Sequence, residues 1–188
     1  PEFSRDAVIK AYLAFMGVRA LMSPVADYDG DGKTDITVKR PDTGVWFALP
    51  SNQPGTYTGT QWGLSDDVPV PGDYDGDGKA DVAVWRPGTG IWYLLSSASP
   101  GTYTGTQWGL SDDIPVPGDY DGDGKTDIAV WRPSTGIWYV LPSASPGTYT
   151  GTQWGLSDDI PVPGDYDGDG KTDIAVWRPG TGIWYVLL

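Results

Sequence analysis

The 188-residue chain predicts an all-β fold: a β-propeller of about four 46-residue, four-stranded blades, the last one incomplete, preceded by an N-terminal apolar α-helix. Three observations predict it. An aspartate-rich loop recurs every 46 residues, starting at Asp27, Asp73, Asp119 and Asp165. Each repeat contains short runs in which apolar and other residues alternate with a period of two, as strands require. The last three also contain one run whose prolines disable a single edge. A period of this length signals a repeat architecture, and Asp66–Ser111 differs from Asp112–Ser157 at only six positions. The expected division is 1–23 as a helical arm and 24–188 as repeats, in blocks of about 24–65, 66–111, 112–157 and 158–188.

Taken in order, the first element is the helix. Ser4 is a suitable cap, and Ala7–Met22 holds good helix formers and no proline. Its only charges, Lys10 and Arg19, fall on opposite sides, so apolar side chains surround it and demand burial. It is short for a membrane span. In the repeats, Thr126–Arg132 sets Ile128 and Val130 on one face against Ala129 and Trp131 on the other. The turn "RPSTG" joins it to Ile137–Leu141 as a hairpin. Thr148–Trp154 alternates again, with threonine and tyrosine suited to a pleated surface. In "DDIPVPGD", Pro161 and Pro163 remove two N–H groups from the same edge, whereas Val162 and Gly164 keep theirs on the other. That is an edge strand. A string of independent small sheets is the main alternative; a parallel β-helix fits worse, because its coils are shorter and lack proline-edged strands.

The net charge of -13 argues against nucleic acid or an anionic membrane surface as partner. Of 25 acidic residues only Glu2 is a glutamate, and the four loops alone hold 16 aspartates. The absence of cysteine and histidine excludes disulfides, thiol chemistry and an imidazole base. Pro1 in place of methionine is expected of a processed or partial chain.

With Asp119 as position 1 of its loop, carboxylates fall at positions 1, 3, 5 and 9 (Asp119, Asp121, Asp123, Asp127), glycines at 4 and 6, and Lys125 at 7. Alternate residues of a tight loop aim inward, glycine permits the sharp turn, and position 7 offers a backbone carbonyl. Hard oxygen donors in this number suit calcium better than magnesium. Position 12 is Val130, inside a strand, where a helix-flanked EF-hand carries its closing glutamate. Four bound ions would bring the charge from -13 to about -5, relieving repulsion that opposes folding.

The stretch "DYDGDGKTDIAVWRPSTGIWYVL" resembles the FG-GAP/VCBS repeat, the family of calcium-binding integrin-α-type propeller blades, over about Leu21 to Leu188. The resemblance implies a β-propeller, one calcium ion per repeat (about four), and extracellular adhesion, carbohydrate or assembly roles. The ligand set it implies is Asp27, Asp29, Asp31, Lys33 and Asp35; Asp73, Asp75, Asp77, Lys79 and Asp81; the third loop's Asp119, Asp121, Asp123, Lys125 and Asp127; and Asp165, Asp167, Asp169, Lys171 and Asp173. Such propellers commonly have near seven blades, and this chain has fewer than four full repeats.

The pairs Asp66–Asp67, Asp112–Asp113 and Asp158–Asp159 raise the question of a glycosidase, but residues copied in every repeat read as scaffold rather than as one catalytic pair. Trp62, Trp108 and Trp154 offer faces on which sugars stack; packing of blade against blade is the better expectation. The arginines of Trp85–Arg86, Trp131–Arg132 and Trp177–Arg178 are expected to cover a ring or pair with an aspartate, and the first repeat departs with Lys39–Arg40. The last repeat ends after its third strand. An open edge and an apolar helix together point to other copies of the chain as partners. The expected protein is not an enzyme and not an integral membrane protein. It is secreted or at the cell surface, a structural subunit of a self-assembling oligomer or filament. The alternative is a calcium-dependent adhesin or lectin-like module, with glycans or cell-surface proteins as partners.

Overall fold

The computed structural model describes residues 26–53 and 55–188, and every regular element among them is a β-strand. The predicted helix, Ala7–Met22 with Ser4 as its cap, lies outside the described residues. Four small antiparallel sheets follow one another along the chain. The first holds β1 (Ile36–Arg40), β2 (Val45–Leu49) and β3 (Thr58–Gln61) in that order. The second runs β4 (Val68–Pro69), β5 (Val82–Arg86), β6 (Ile91–Leu95) and β7 (Tyr103–Gln107), and the third repeats it with β8 (Ile114–Pro115), β9 (Ile128–Arg132), β10 (Ile137–Leu141) and β11 (Thr150–Gln153). The fourth has β12 (Ile160–Pro161), β13 (Ile174–Arg178) and β14 (Ile183–Leu187).

The proline-bearing strands behave as their chemistry dictates. β4, β8 and β12 each pair with one neighbour only. The donors that survive are used toward that neighbour: Val70, Val116 and Val162 N–H donate to the Ala83, Ala129 and Ala175 carbonyls at 2.8–2.9 Å. The disabled side faces away, where no partner is needed.

Two predicted strand starts are trimmed for identifiable reasons. β9 begins at Ile128 rather than Thr126, because the Thr126 N–H leaves the ladder to bond the Asp73 carbonyl of the preceding repeat at 2.7 Å. β11 begins at Thr150 rather than Thr148, whose N–H closes a turn onto the Ser145 carbonyl.

The core lies between sheets. Val70, Ala83, Trp85 and Trp92 of the second sheet pack against Ile128 and Val130 of the third. One repeat on, Val116, Ala129, Trp131, Trp138 and Val140 pack against Val176. The recurring Trp62, Trp108 and Trp154 tie consecutive sheets, each indole N–H donating to the next sheet's tyrosine carbonyl (Tyr93, Tyr139, Tyr185) at 3.1–3.2 Å. This satisfies the one polar atom of a large half-buried ring, so the residue contributes area without an unpaired donor.

Candidate metal centre

The second, third and fourth loops each connect an edge strand to the long hairpin of their sheet, and the first leads into the hairpin of β1 and β2. Glycines at positions 4 and 6 take positive φ, 79° at Gly30 and 80° at Gly32, where a side chain would be strained. Their N–H groups turn inward onto the first aspartate: Gly30 N–H reaches Asp27 Oδ1 and Gly32 N–H reaches Asp27 Oδ2, both at 2.7 Å.

In every loop the carboxylates at positions 1, 3 and 9 converge. Asp27, Asp29 and Asp35 bring one oxygen each within 4.8 Å of the others, as do Asp73, Asp75 and Asp81; Asp119, Asp121 and Asp127; and Asp165, Asp167 and Asp173. The aspartate at position 5 stands outside this trio. Asp31, Asp77, Asp123 and Asp169 each accept the N–H of the lysine at position 7 (Lys33, Lys79, Lys125, Lys171) at 2.8–2.9 Å. Asp31 also takes the Ser51 hydroxyl and the Lys33 ammonium.

The ninth position is the anchor. Asp35, Asp81, Asp127 and Asp173 are buried. One oxygen of Asp127 accepts the Tyr120 N–H at 2.9 Å and the other the Ser143 N–H at 2.7 Å. Burial still pushes the carboxyls of Asp81 and Asp127 up, against these hydrogen bonds, and the neighbouring Asp75 and Asp121 charges push the same way. A divalent cation reverses that balance. All donors are oxygens, the set that a hard ion such as calcium takes. Sequence reasoning missed the serine partners, although Ser51, Ser97 and Ser143 each follow their ninth-position aspartate by 16 residues.

The paired aspartates do other work. Asp67 is fully buried, and Arg86 Nε and Nη2 grip its two oxygens at 2.7 and 2.9 Å. The same guanidinium lies 4.5 Å above the centre of the Tyr93 ring, so the arginine covers a ring and pairs with an aspartate at once. Burial raises the Asp67 carboxyl, but the bonds from Arg86 and the Leu64 N–H prevail and hold it below the usual range. Arg132 with Asp113 and Arg178 with Asp159 repeat the pair. In the first repeat Lys39 replaces the tryptophan, and its ammonium donates to the Leu64 and Asp67 carbonyls. These are scaffold carboxylates. Asp113→Ala is expected to cost about 3 kcal/mol in urea denaturation, by stranding Arg132 and the Leu110 N–H. Asp112→Ala, at an exposed site, should stay within about 0.5 kcal/mol.

A family model described as FG-GAP-like repeat matches three times in tandem, over residues 27–84, 73–130 and 119–176. Each match opens on the first aspartate of one loop and runs through the next loop into the strand beyond it. No curated protein and no solved structure matches the chain.

Proposed function

Because the chain belongs to the FG-GAP-like repeat family, with matches spanning residues 27–176, we propose that it is a non-catalytic extracellular propeller protein stapled by calcium, and a structural subunit of a self-assembling surface oligomer or filament. Its sheets serve as blades, and each aspartate trio holds one ion, with the position-5 aspartate and the position-7 carbonyl completing the shell when it binds. Support for the metal is the convergence of three oxygen donors in all four loops. No helix among the described residues is long and apolar enough to cross a membrane.

One observation carries the assembly reading. Trp46, Trp92 and Trp138 are buried, whereas Trp184 at the same place in β14 is 54% exposed, with Ile183 and Leu187 beside it. An edge strand carrying apolar residues invites a partner, and N-terminal residues 1–23 are the other contributor we expect. In calcium, size-exclusion with light scattering should give a mass that grows with protein concentration. A monomer at every concentration ends the assembly reading.

A second reading has an observation of its own. Open clefts of about 320 and 240 Å³ recur between sheets, the first walled by Trp62, Arg86, Tyr93 and Tyr103. Aromatic walls beside a guanidinium suit a sugar ring, which would make the protein a calcium-dependent adhesin or lectin-like module. Glycan binding by a monomer favours it.

A further inference from the structure

The metal loops are near copies in sequence but not in their hydrogen bonds. The residue that follows β2, β6 and β10 is Pro50, Ser96 and Pro142, and a serine comes next each time: Ser51, Ser97 and Ser143. All of these serines hold their ninth-position aspartate through the backbone N–H. Their hydroxyls part company. Ser51 Oγ donates to Asp31 Oδ2 at 2.6 Å and Ser143 Oγ to Asp123 Oδ2 at 2.8 Å, the aspartates at position 5. Ser97 Oγ is buried and has no hydrogen-bond partner.

The difference goes with one residue. Proline has no N–H, and where it follows β2 and β10 the hairpin ladder stops at four pairs. Ser96 restores the donor, which reaches the Thr102 carbonyl at 3.2 Å, and the β6–β7 ladder has a fifth pair, Leu95 with Tyr103. The Ser96 hydroxyl donates to Asp75 Oδ2 at 2.6 Å and accepts the Ser99 N–H at 3.0 Å. That oxygen of position 3 faces this hairpin in the other loops as well, where the Asn52 and Ala144 N–H groups reach Asp29 and Asp121 Oδ2 at 3.1 Å. Serine therefore adds a bond behind position 3, and no hydroxyl is left on position 5. Asp77 Oδ1 accepts the Lys79 N–H, and its Oδ2 has no partner among the described residues.

The loops thus differ in what position 5 gives up on joining an ion. Asp31 and Asp123 surrender a charge-assisted bond from serine, whereas Asp77 surrenders none. Asp75 meanwhile is held more firmly where it converges on Asp73 and Asp81. We infer that the second loop fills with calcium before the first and third, and that Ser96, standing where those two hairpins carry proline, is the positioning residue that sets it apart. The inference rests on the calcium reading and gives its sites an order.

The test is a calcium titration of the full chain in physiological salt, with the amide NMR signals of Gly30, Gly76 and Gly122 reporting these loops separately. Gly76 should reach half its change at about 3- to 10-fold less calcium than the other two. Ser51→Ala and Ser143→Ala should each tighten their own loop by about the same factor, a gain that loss of structure does not produce. Ser97→Ala should leave the second loop within about twofold of wild type, because its hydroxyl restrains nothing. Pro142→Ser should tighten the third loop. If the three signals move together, if neither Ser51→Ala nor Ser143→Ala gains affinity, or if Pro142→Ser changes nothing, the inference falls and the calcium reading stands. Signals that ignore calcium overturn both.

Discussion

In millimolar calcium the protein is expected to melt about 20–40 °C above its midpoint in EDTA. Each ion at a hundredfold excess over its Kd adds about 2.7 kcal/mol, and four sites reach on the order of 10 kcal/mol. A chain of this size shifts by about 2–4 °C per kcal/mol. The effect is large because the metal-free loops work against folding, with three carboxylates held within 4.8 Å of one another in each. Asp127→Asn, which removes one buried charge, should abolish about a quarter of the calcium-dependent shift. Magnesium should reproduce little of it, since it keeps its waters and demands stricter octahedral geometry. Differential scanning calorimetry across a calcium series reads the result. A midpoint indifferent to chelator would overturn the metal assignment.

Replacing one tryptophan should have the next largest consequence. Trp138 is fully buried between the third and fourth sheets, and its indole N–H donates to the Trp154 carbonyl at 3.0 Å. Trp138→Ala removes that area and leaves a cavity, at a cost of about 3–5 kcal/mol. Trp184 occupies the same position in the last repeat but is 54% exposed, so Trp184→Ala should cost less than about 1 kcal/mol in dilute solution. Guanidinium denaturation of the two variants side by side makes the comparison. Equal losses would mean that Trp184 is as enclosed as its counterpart.

Much of this fold was legible in the residues because its signals are local. Alternation in Ile128–Arg132 and Ile137–Leu141 marks strands whatever lies around them, and the prolines of "DDIPVPGD" announce an edge by removing donors. The tryptophans and arginines were readable as scaffold because they recur. What escaped depends on contacts between repeats. Nothing within one repeat says that Thr126 gives its N–H to the Asp73 carbonyl, so β9 was read two residues too long. Position 5 of the loop looked equivalent to positions 1, 3 and 9. In the structure Asp123 also accepts the Lys125 N–H, an internal bond that spacing alone does not announce and that stands beside the ligand role proposed for it. Lys39 departs from its counterparts visibly, but the carbonyls it reaches, Leu64 and Asp67, lie 25 and 28 residues away.

The junction at which Thr126 bonds the preceding repeat bears on how such a gene can change length. Gly72 meets Thr126 there and Gly118 meets Thr172 one repeat on, whereas Ala26 and Ala80 stand at those places in the first junction. Unequal crossing-over between the third and fourth units would insert or delete 46 residues and leave each glycine–threonine junction intact. An exchange that excised Asp66–Ser111 would bring the methyl of Ala26 against Thr126, whose side chain now fits only because Gly72 has none. Copy number is thus free to drift toward the C-terminal end, while the first two units are inherited as a linked couple.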